Sequence, residues 1–401
     1  MKFRVMDLVS RANQPRDIVL CVGQPLTGAP RTALDAACEA MGSLPLGYTA
    51  IEGIPQLRQR IAEDYPGSTA DDVVVTTGAS GGLTALFMAL KALKAREVRN
   101  NDVVGEASAG GQVAVAMARP GYPAYRNLLR SIGCGVVEMP CGMDTRFQPT
   151  APMVEGMLAE HPEVAAVIVT SPANPTGTII ESDELEAIAR VCQQRGVILI
   201  SDEIYHGLEY TDHTCTSAWG MRGDAVEHNV VVVGSFSKFY SMTGWRVGWL
   251  LLPPSLRDMV VDIQGNLALC APAVSQYAAL GAFDSEEPQA HVAHYARNRE
   301  LLSTALEGAL PHAPIEGAFY AWVDVSSLTD DSEAWCNELL DRFRIAIAPG
   351  IDFDEVDGHR YVRISFCCDT KELGAAMDIL AANYLKSTSI KPGLFNTEEH
   401  S

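Results

Sequence analysis

The stretch Val233–Trp249 reads VGSFSKFYSMTGWRVGW, and its reading decides the fold. An apolar, β-branched run ends in Ser235, Ser237 and Lys238. A second apolar run opens at Val247, directly after Arg246. A cation at the mouth of an apolar core is costly unless a partner is provided for it. Lys238 therefore marks a site at a strand end.

Outward from this stretch, seven short β-branched runs read as strands: VVVTT from Val73, VAVAM from Val113, VVEM from Val136, VAAVIVT from Val164, VILIS from Val197, VVVVGSF from Val230 and VGWLLL from Val247. They are nearly continuous in apolar character, as expected of strands covered on both faces. Helical patterns alternate with them. In SDELEAIARVCQQRG, Ser182 is placed to cap the start, Asp183 and Glu184 suit the first turn, Gly196 ends it, and Leu185, Ile188, Ala189 and Cys192 form one stripe. The rhythm predicts an α/β fold with a mostly parallel seven-stranded sheet and helices on both faces.

Near residue 275 the alternation stops. Only FYAWVDV near 319 and YVRISF near 361 read as further strands. The expectation is a large domain over 45–278 and a smaller α+β domain from 1–44 and 279–385. The segment 96–111 reads as a surface insertion, and 386–401 as a disordered tail.

Composition narrows the function. The 401 residues carry a net charge of −20, which argues against nucleic acid or an anionic membrane as partner. No continuous apolar h-region opens the chain and no run reaches a membrane span. The ten cysteines show no CxxC pair or metal-like spacing, as in a cytoplasmic protein with reduced thiols. His291 and His294 lack a carboxylate or cysteine partner and read as a solvated face.

In open α/β sheets ligands bind beyond the carboxyl ends of strands. The residues found there form a set. Ala79, Ser80 and Gly81 lie in a Gly-rich turn before a helix, which suits a phosphate. Ser235, Ser237 and Arg246 can complete that cradle. Tyr122 can cover a flat ring. Asp202, directly after an apolar strand, can pair with a protonated ring nitrogen. Asn174 and Tyr205 can hydrogen-bond a ring hydroxyl, and Lys238 can form a Schiff base. A phosphorylated pyridine bearing an aldehyde and a hydroxyl asks for these groups, and pyridoxal phosphate is that molecule.

From GQP at Gly23 to RISF at Arg363, the chain resembles fold-type I pyridoxal-phosphate enzymes of the class I/II aminotransferase family. The resemblance rests on NPTG, SDEIY and SFSKFYSMTGWRVGW, in that order along the chain. It implies a transaminase with pyridoxal 5'-phosphate on Lys238, which also moves the Cα proton. Asp202 would keep the ring nitrogen protonated, and Asn174 and Tyr205 would contact the ring oxygen. Ala79, Ser80, Ser235, Ser237 and Arg246 would hold the phosphate, with Tyr122 on the ring. Arg363 would grip the substrate α-carboxylate, with Gly23 nearby. Tyr48 would reach the phosphate of a neighbouring subunit, implying a homodimer with shared sites.

The chain departs from the family in GQP, where many members have Gly-Glu-Pro, in the extra glycines of GASGG, and in the 96–111 segment. No residue is assigned to a second, side-chain carboxylate, which favours neutral or aromatic amino donors. A lyase or cyclase would share every cofactor residue. A non-catalytic regulator would need a DNA-binding segment for which no room is seen before Gly23.

Overall fold

A computed structural model describes residues 4–12, 14–101, 113–211, 215–223 and 228–385, with side chains of 96–101 left aside. Along the chain, α1 (Arg4–Arg11) and β1 (Ile18–Leu20) lead to α2 (Arg31–Ser43) and α3 (Pro55–Glu63). The alternation then runs β2 (Val73–Thr76), α4 (Gly78–Asn101), β3 (Ala114–Arg119), α5 (Pro123–Ser131), β4 (Gly135–Pro140), α6 (Ala151–Glu160), β5 (Val164–Thr170) and α7 (Ser182–Arg195). It continues through β6 (Ile198–Asp202), β7 (Val230–Ser235) and β8 (Gly248–Leu251). There follow α8 (Pro254–Ala268), α9 (Ala273–Ala282), α10 (Glu287–Leu306), β9 (Tyr320–Asp324), α11 (Ser332–Phe343), β10 (Ile345–Pro349), β11 (Tyr361–Ser365) and α12 (Thr370–Asn383).

The large sheet has the strand order β2-β8-β7-β6-β5-β3-β4. Its pairs are parallel except those of β8, which runs antiparallel to both β2 and β7. Successive residues of a strand feed opposite cores. Val73, Val75, Val230 and Val232 pack on one side, with Leu57, Val154, Leu185 and Ala278. Val74, Val231 and Val233 pack on the other, with Leu86, Leu90, Leu256 and Val260. Two buried faces explain why these strands read as continuous apolar runs.

A second sheet, β1-β10-β11-β9, has its own core with α1, α10, α11 and α12. Its strands β1 and β10 were not recognised in the sequence. β1 is three residues long and exists through its parallel pairing of Ile18 with Ile345 and Leu20 with Ile347. Helix α2 stands apart from this unit: Ala33 and Ala37 share the core of the large sheet with α9.

Three local expectations are corrected. Ser182 does not cap α7; Glu181 occupies the cap position with its side chain paired to Arg146 rather than to the helix start, and Ser182 is the first helical residue. The expected turn at GASGG is the first turn of α4, which starts at Gly78. Glycines are tolerated there because first-turn N–H groups have no helical partner to lose. Residues 96–101 continue α4 rather than forming a loop. The rest of the proposed insertion, and the tail from 386, lie outside the described residues.

Candidate active site

The large sheet brings the ends of β5, β6 and β7 side by side: Thr170 pairs with Asp202, and Asp202 with Val233. The loops that follow carry Asn174, Tyr205 and Lys238. These residues line one cavity of about 200 Å³ together with Ala79, Ser80, Tyr122, Asp202, Gly23 and Arg363. Arg363 comes from β11 of the small sheet, so both units contribute walls.

Lys238 sits in a tight turn closed by Ser241 N–H to the Lys238 carbonyl at 3.1 Å and Met242 N–H to the Phe236 carbonyl at 3.1 Å. Phe236 and Met242 are buried and anchor the turn. The Lys238 Nζ donates to the Gly23 carbonyl at 2.6 Å. Burial lowers its pKa to about 8, and the charges of Arg363 and Arg246 push the same way. A larger share of neutral amine at neutral pH makes a better nucleophile.

Asp202 is 3 % exposed. It accepts a hydrogen bond from the Tyr125 hydroxyl and one from Ile204 N–H at 3.2 Å. Burial raises its pKa to about 6, against these two bonds. It forms no ion pair among the described residues. The adjacent Glu203 accepts from Ser217 Oγ at 3.0 Å and Ala218 N–H at 2.9 Å, and burial raises it to about 7. Of the two carboxylates, Asp202 is the one that faces the cavity, where a cationic ring nitrogen would meet it.

Arg363 is 5 % exposed. Its two Nη atoms donate to Asn174 Oδ1 at 2.9 Å and to the Cys21 carbonyl at 2.6 Å, while its buried Nε has no partner among the described residues. The guanidinium lies 4.4 Å from the Tyr320 ring centre and 4.6 Å from that of Phe353. A planar cation held in this way, with donor capacity left over, suits a carboxylate. Engaging Asn174 through its oxygen leaves the Asn174 NH2 to donate elsewhere. Tyr205 shares a hydrogen bond of 2.9 Å with Tyr320, and burial raises both phenols.

At the other end of the cavity, α4 presents the N–H groups of its first turn. Gly78 has φ +65°, and a Cβ there would lie 2.6 Å from Arg246 Nη2, so the guanidinium rests against the helix start. Gly248 packs as closely: a Cβ there would be 2.9 Å from Ala79 N. Because Ser235 pairs with Gly248, it is brought beside the same helix start. Ser235 Oγ donates to Ser237 Oγ at 3.0 Å. Gly81, Ser235, Ser237 and Arg246 flank this end without lining the cavity itself. Oriented N–H groups, hydroxyls and a guanidinium form an anion site.

Tyr48 does not line this cavity. It is 84 % exposed and borders a shallow groove with Leu46, Thr77 and Pro272. Sequence reading places Tyr125 with Tyr122 in a turn, as packing or as a ring to stack on a flat ligand, without a link to Asp202, and it passes over Tyr320. Tyr122 precedes α5 and Tyr125 lies in its first turn, with their rings packed edge to face at 5.3 Å. Tyr320 carried no signal, since a strand aromatic reads as core.

The residues present fit a phosphorylated, protonated pyridine. Among the described residues the buried Asp202 lacks a cation and the Arg363 Nε lacks an acceptor, and the helix start faces two serines and an arginine. The fold and this site define a pyridoxal-phosphate enzyme of fold type I. The sequence matches the model of the aminotransferase class I and II family over residues 15–380, and the chain belongs to that family. It is 47% identical over 392 residues to valine–pyruvate aminotransferase of Mycobacterium tuberculosis, covering 94% of each chain. It is 30% identical to an aspartate aminotransferase of Thermotoga maritima, again over 94% of each. Among solved structures, an aminotransferase from Mycobacterium tuberculosis superposes with a TM-score of 0.84 at 44% identity, covering 95% of this chain and 96% of that one. Aspartate aminotransferase from Thermus thermophilus with maleate gives 0.83 at 25% identity, covering 95% and 97%. The protein is a pyridoxal-phosphate-dependent transaminase acting on an amino acid and a 2-oxo acid. Among the described residues no helix is long and apolar enough to cross a membrane.

Proposed function

We propose that the enzyme takes an L-amino acid with a neutral, aliphatic side chain as donor and a small 2-oxo acid as acceptor. The observation that carries this reading is the cavity lining. Among the described residues its cations are Lys238 and Arg363, and the remaining walls include Val5, Met6, Val22, Leu83 and Ile204. With Arg363 on the α-carboxylate and Lys238 at the reacting carbon, a side-chain carboxylate would meet apolar surface, which is unfavourable. The name of the Mycobacterium tuberculosis relative, valine–pyruvate aminotransferase, supports the same choice.

Pyridoxal phosphate supplies an aldehyde that accepts the amino group and a ring that takes up the electrons left at Cα. Lys238 would hold the aldehyde carbon and, once displaced by the substrate amine, move the proton at Cα. Asp202 would keep the ring nitrogen protonated, supported by its burial without a cation. Asn174 and Tyr205 would donate to the ring oxygen, and Tyr122 would cover the ring face. The first turn of α4 at Ala79, Ser80 and Gly81 would hold the phosphate with Ser235, Ser237 and Arg246. Gly23 would leave room for the Tyr320 hydroxyl, which a Cβ there would meet at 1.7 Å, while its carbonyl holds Lys238 beside the substrate.

The exposed Tyr48 supports a second copy of the chain as partner, contributing its phenol to the neighbouring phosphate in a homodimer. The reduced-thiol pattern of the cysteines supports a cytoplasmic location. The deciding experiment is a half-reaction. Holoenzyme is mixed with L-valine alone and the cofactor absorbance is followed. Stoichiometric conversion to the amine form, with release of the matching 2-oxo acid, is expected. Release of ammonia without that conversion would sink the reading. L-Aspartate reacting faster than L-valine would sink the choice of donor.

A further inference from the structure

Helix α1 contributes Val5 and Met6 to the cavity that holds Lys238 and Arg363. Val5 is buried beside Leu8 in the small-unit core, whereas Met6 is 52 % exposed and therefore stands at the rim. An eight-residue helix has little stability of its own, so its position depends on how it is docked.

The docking centres on Asp352, in the loop that joins β10 to β11. This residue is 3 % exposed. Asp352 Oδ2 accepts from Val5 N–H at 2.8 Å and Oδ1 from Arg4 N–H at 3.2 Å. These are first-turn N–H groups of α1, where a carboxylate also meets the positive end of the helix dipole. The Arg4 guanidinium lies 3.6 Å from Asp352 and 3.1 Å from Glu333, so this cation is committed to ion pairs. The Asp352 carbonyl accepts from Arg126 Nη2 at 2.9 Å. Arg126 belongs to α5, the helix that carries Tyr125 to Asp202. One residue thus fastens the apolar wall of the cavity to the segment that flanks the cofactor site.

We propose that α1, docked by Asp352, is the element that selects an apolar side chain on the amino donor, with Val5 and Met6 making the contact. Asp352 is a positioning residue in this arrangement. The inference rests on the amino-acid reading of the preceding subsection and adds to it the residues that discriminate. A donor side chain pointing at α1 gains contact with Val5 and Met6, and gains more as methyl groups are added. A missing or misplaced methylene contact in such a pocket is worth about 10-fold in discrimination.

The test uses single-turnover half-reactions of full-length holoenzyme with L-valine and with L-alanine, comparing the ratio of their second-order rate constants. Met6→Ala truncates a half-exposed side chain and leaves the buried core alone. Asp352→Asn keeps one acceptor oxygen but removes the charge and the second strong acceptor. Each variant is expected to lower the valine-over-alanine ratio about 10-fold, and the double variant no further than the stronger single, because both act on one wall. A loss of folding or cofactor would depress both substrates equally and leave the ratio intact. Ratios within about twofold of the parent in both variants would overturn the inference. Failure of the unaltered enzyme to react with either amino acid would instead overturn the donor reading on which it rests.

Discussion

The Arg363 guanidinium and the Asn174 side chain are hydrogen-bonded at 2.9 Å, across the seam between the two sheets. Arg363 stands on β11 of the small sheet, and Asn174 in the loop after β5 of the large one. The group assigned to the substrate carboxylate is thereby held against a group assigned to the ring oxygen, so that both face one cavity. The orphaned Arg363 Nε is the donor a carboxylate would satisfy. Arg363→Lys retains charge but loses the planar fork and both long-range bonds. Breaking a buried, hydrogen-bonded charge pair costs about 2–5 kcal/mol. The half-saturating amino-acid concentration is expected to rise roughly 30-fold or more, measured by steady-state kinetics, while the cofactor absorbance of the resting enzyme stays that of the parent.

What the sequence disclosed and what it hid have a common physical cause. Asp202 closes β6 and Lys238 lies in the loop just after β7, so a charged side chain there stands out against an apolar, β-branched run, while Asn174 is marked by the prolines and glycine of the loop after β5. Six strands of the large sheet were visible because burial forces continuous apolar runs, and the half-buried edge strand β4 was visible through its β-branched Val136 and Val137. Strand β1 was invisible because three residues carry no period, and only its pairing with β10 makes it a strand. Asp352 and Tyr320 were hidden for another reason. Their roles depend on partners more than a hundred residues away in sequence, Val5 for one and Tyr205 for the other. The misread start of α4 is local: glycines resemble a turn, yet the first helical turn accepts them.

Lys238 is held at a cost to stability that should be measurable in the apoprotein. Its amine is lowered from 10.5 to about 8 by burial. The folded state thus binds fewer protons than the unfolded one between those two values, and stability from this group rises with pH across that window. Below about 8 the penalty is complete, on the order of 3 kcal/mol. Lys238→Met apoprotein is therefore expected to melt at a higher temperature than the parent at pH 7. That advantage should shrink as the pH passes from 8 towards 10. An advantage that is constant with pH would show that the amine is not desolvated. Activity of the variant should be lost.

Asp202 carries the opposite sign. Burial raises its pKa from 3.8 to about 6, so the ionised form is disfavoured until a cation arrives. Stability from this group is present at low pH and lost as the pH rises through about 6. Asp202→Asn apoprotein should then be more stable than the parent at pH 7 and no more stable at pH 4. For the cofactor the order reverses, because the carboxylate is what a protonated ring nitrogen pairs with. Affinity of the parent apoprotein for pyridoxal phosphate is expected to fall as the pH drops through 6. The asparagine variant should bind more weakly at pH 7 and show only the shallower pH dependence of the phosphate itself. Equilibrium titration of cofactor fluorescence from pH 5 to pH 8 separates the two curves.

Tyr125 tunes that carboxylate. Its hydroxyl donates to Asp202 and also meets Thr170 Oγ1 at 3.1 Å. A hydrogen bond to a charged acceptor contributes about 1.5–3 kcal/mol, and it favours the ionised form of Asp202. Tyr125→Phe preserves the ring and its edge-to-face packing on Tyr122 at 5.3 Å, so the fold should persist. What is removed is the donor. The Asp202 pKa should then rise further, by about one unit or more, and the pH at which cofactor affinity falls should move up with it. Simple loosening of the site would lower affinity at every pH without moving the midpoint. A midpoint that stays in place in the phenylalanine variant would exclude Tyr125 as the group that sets the charge of Asp202.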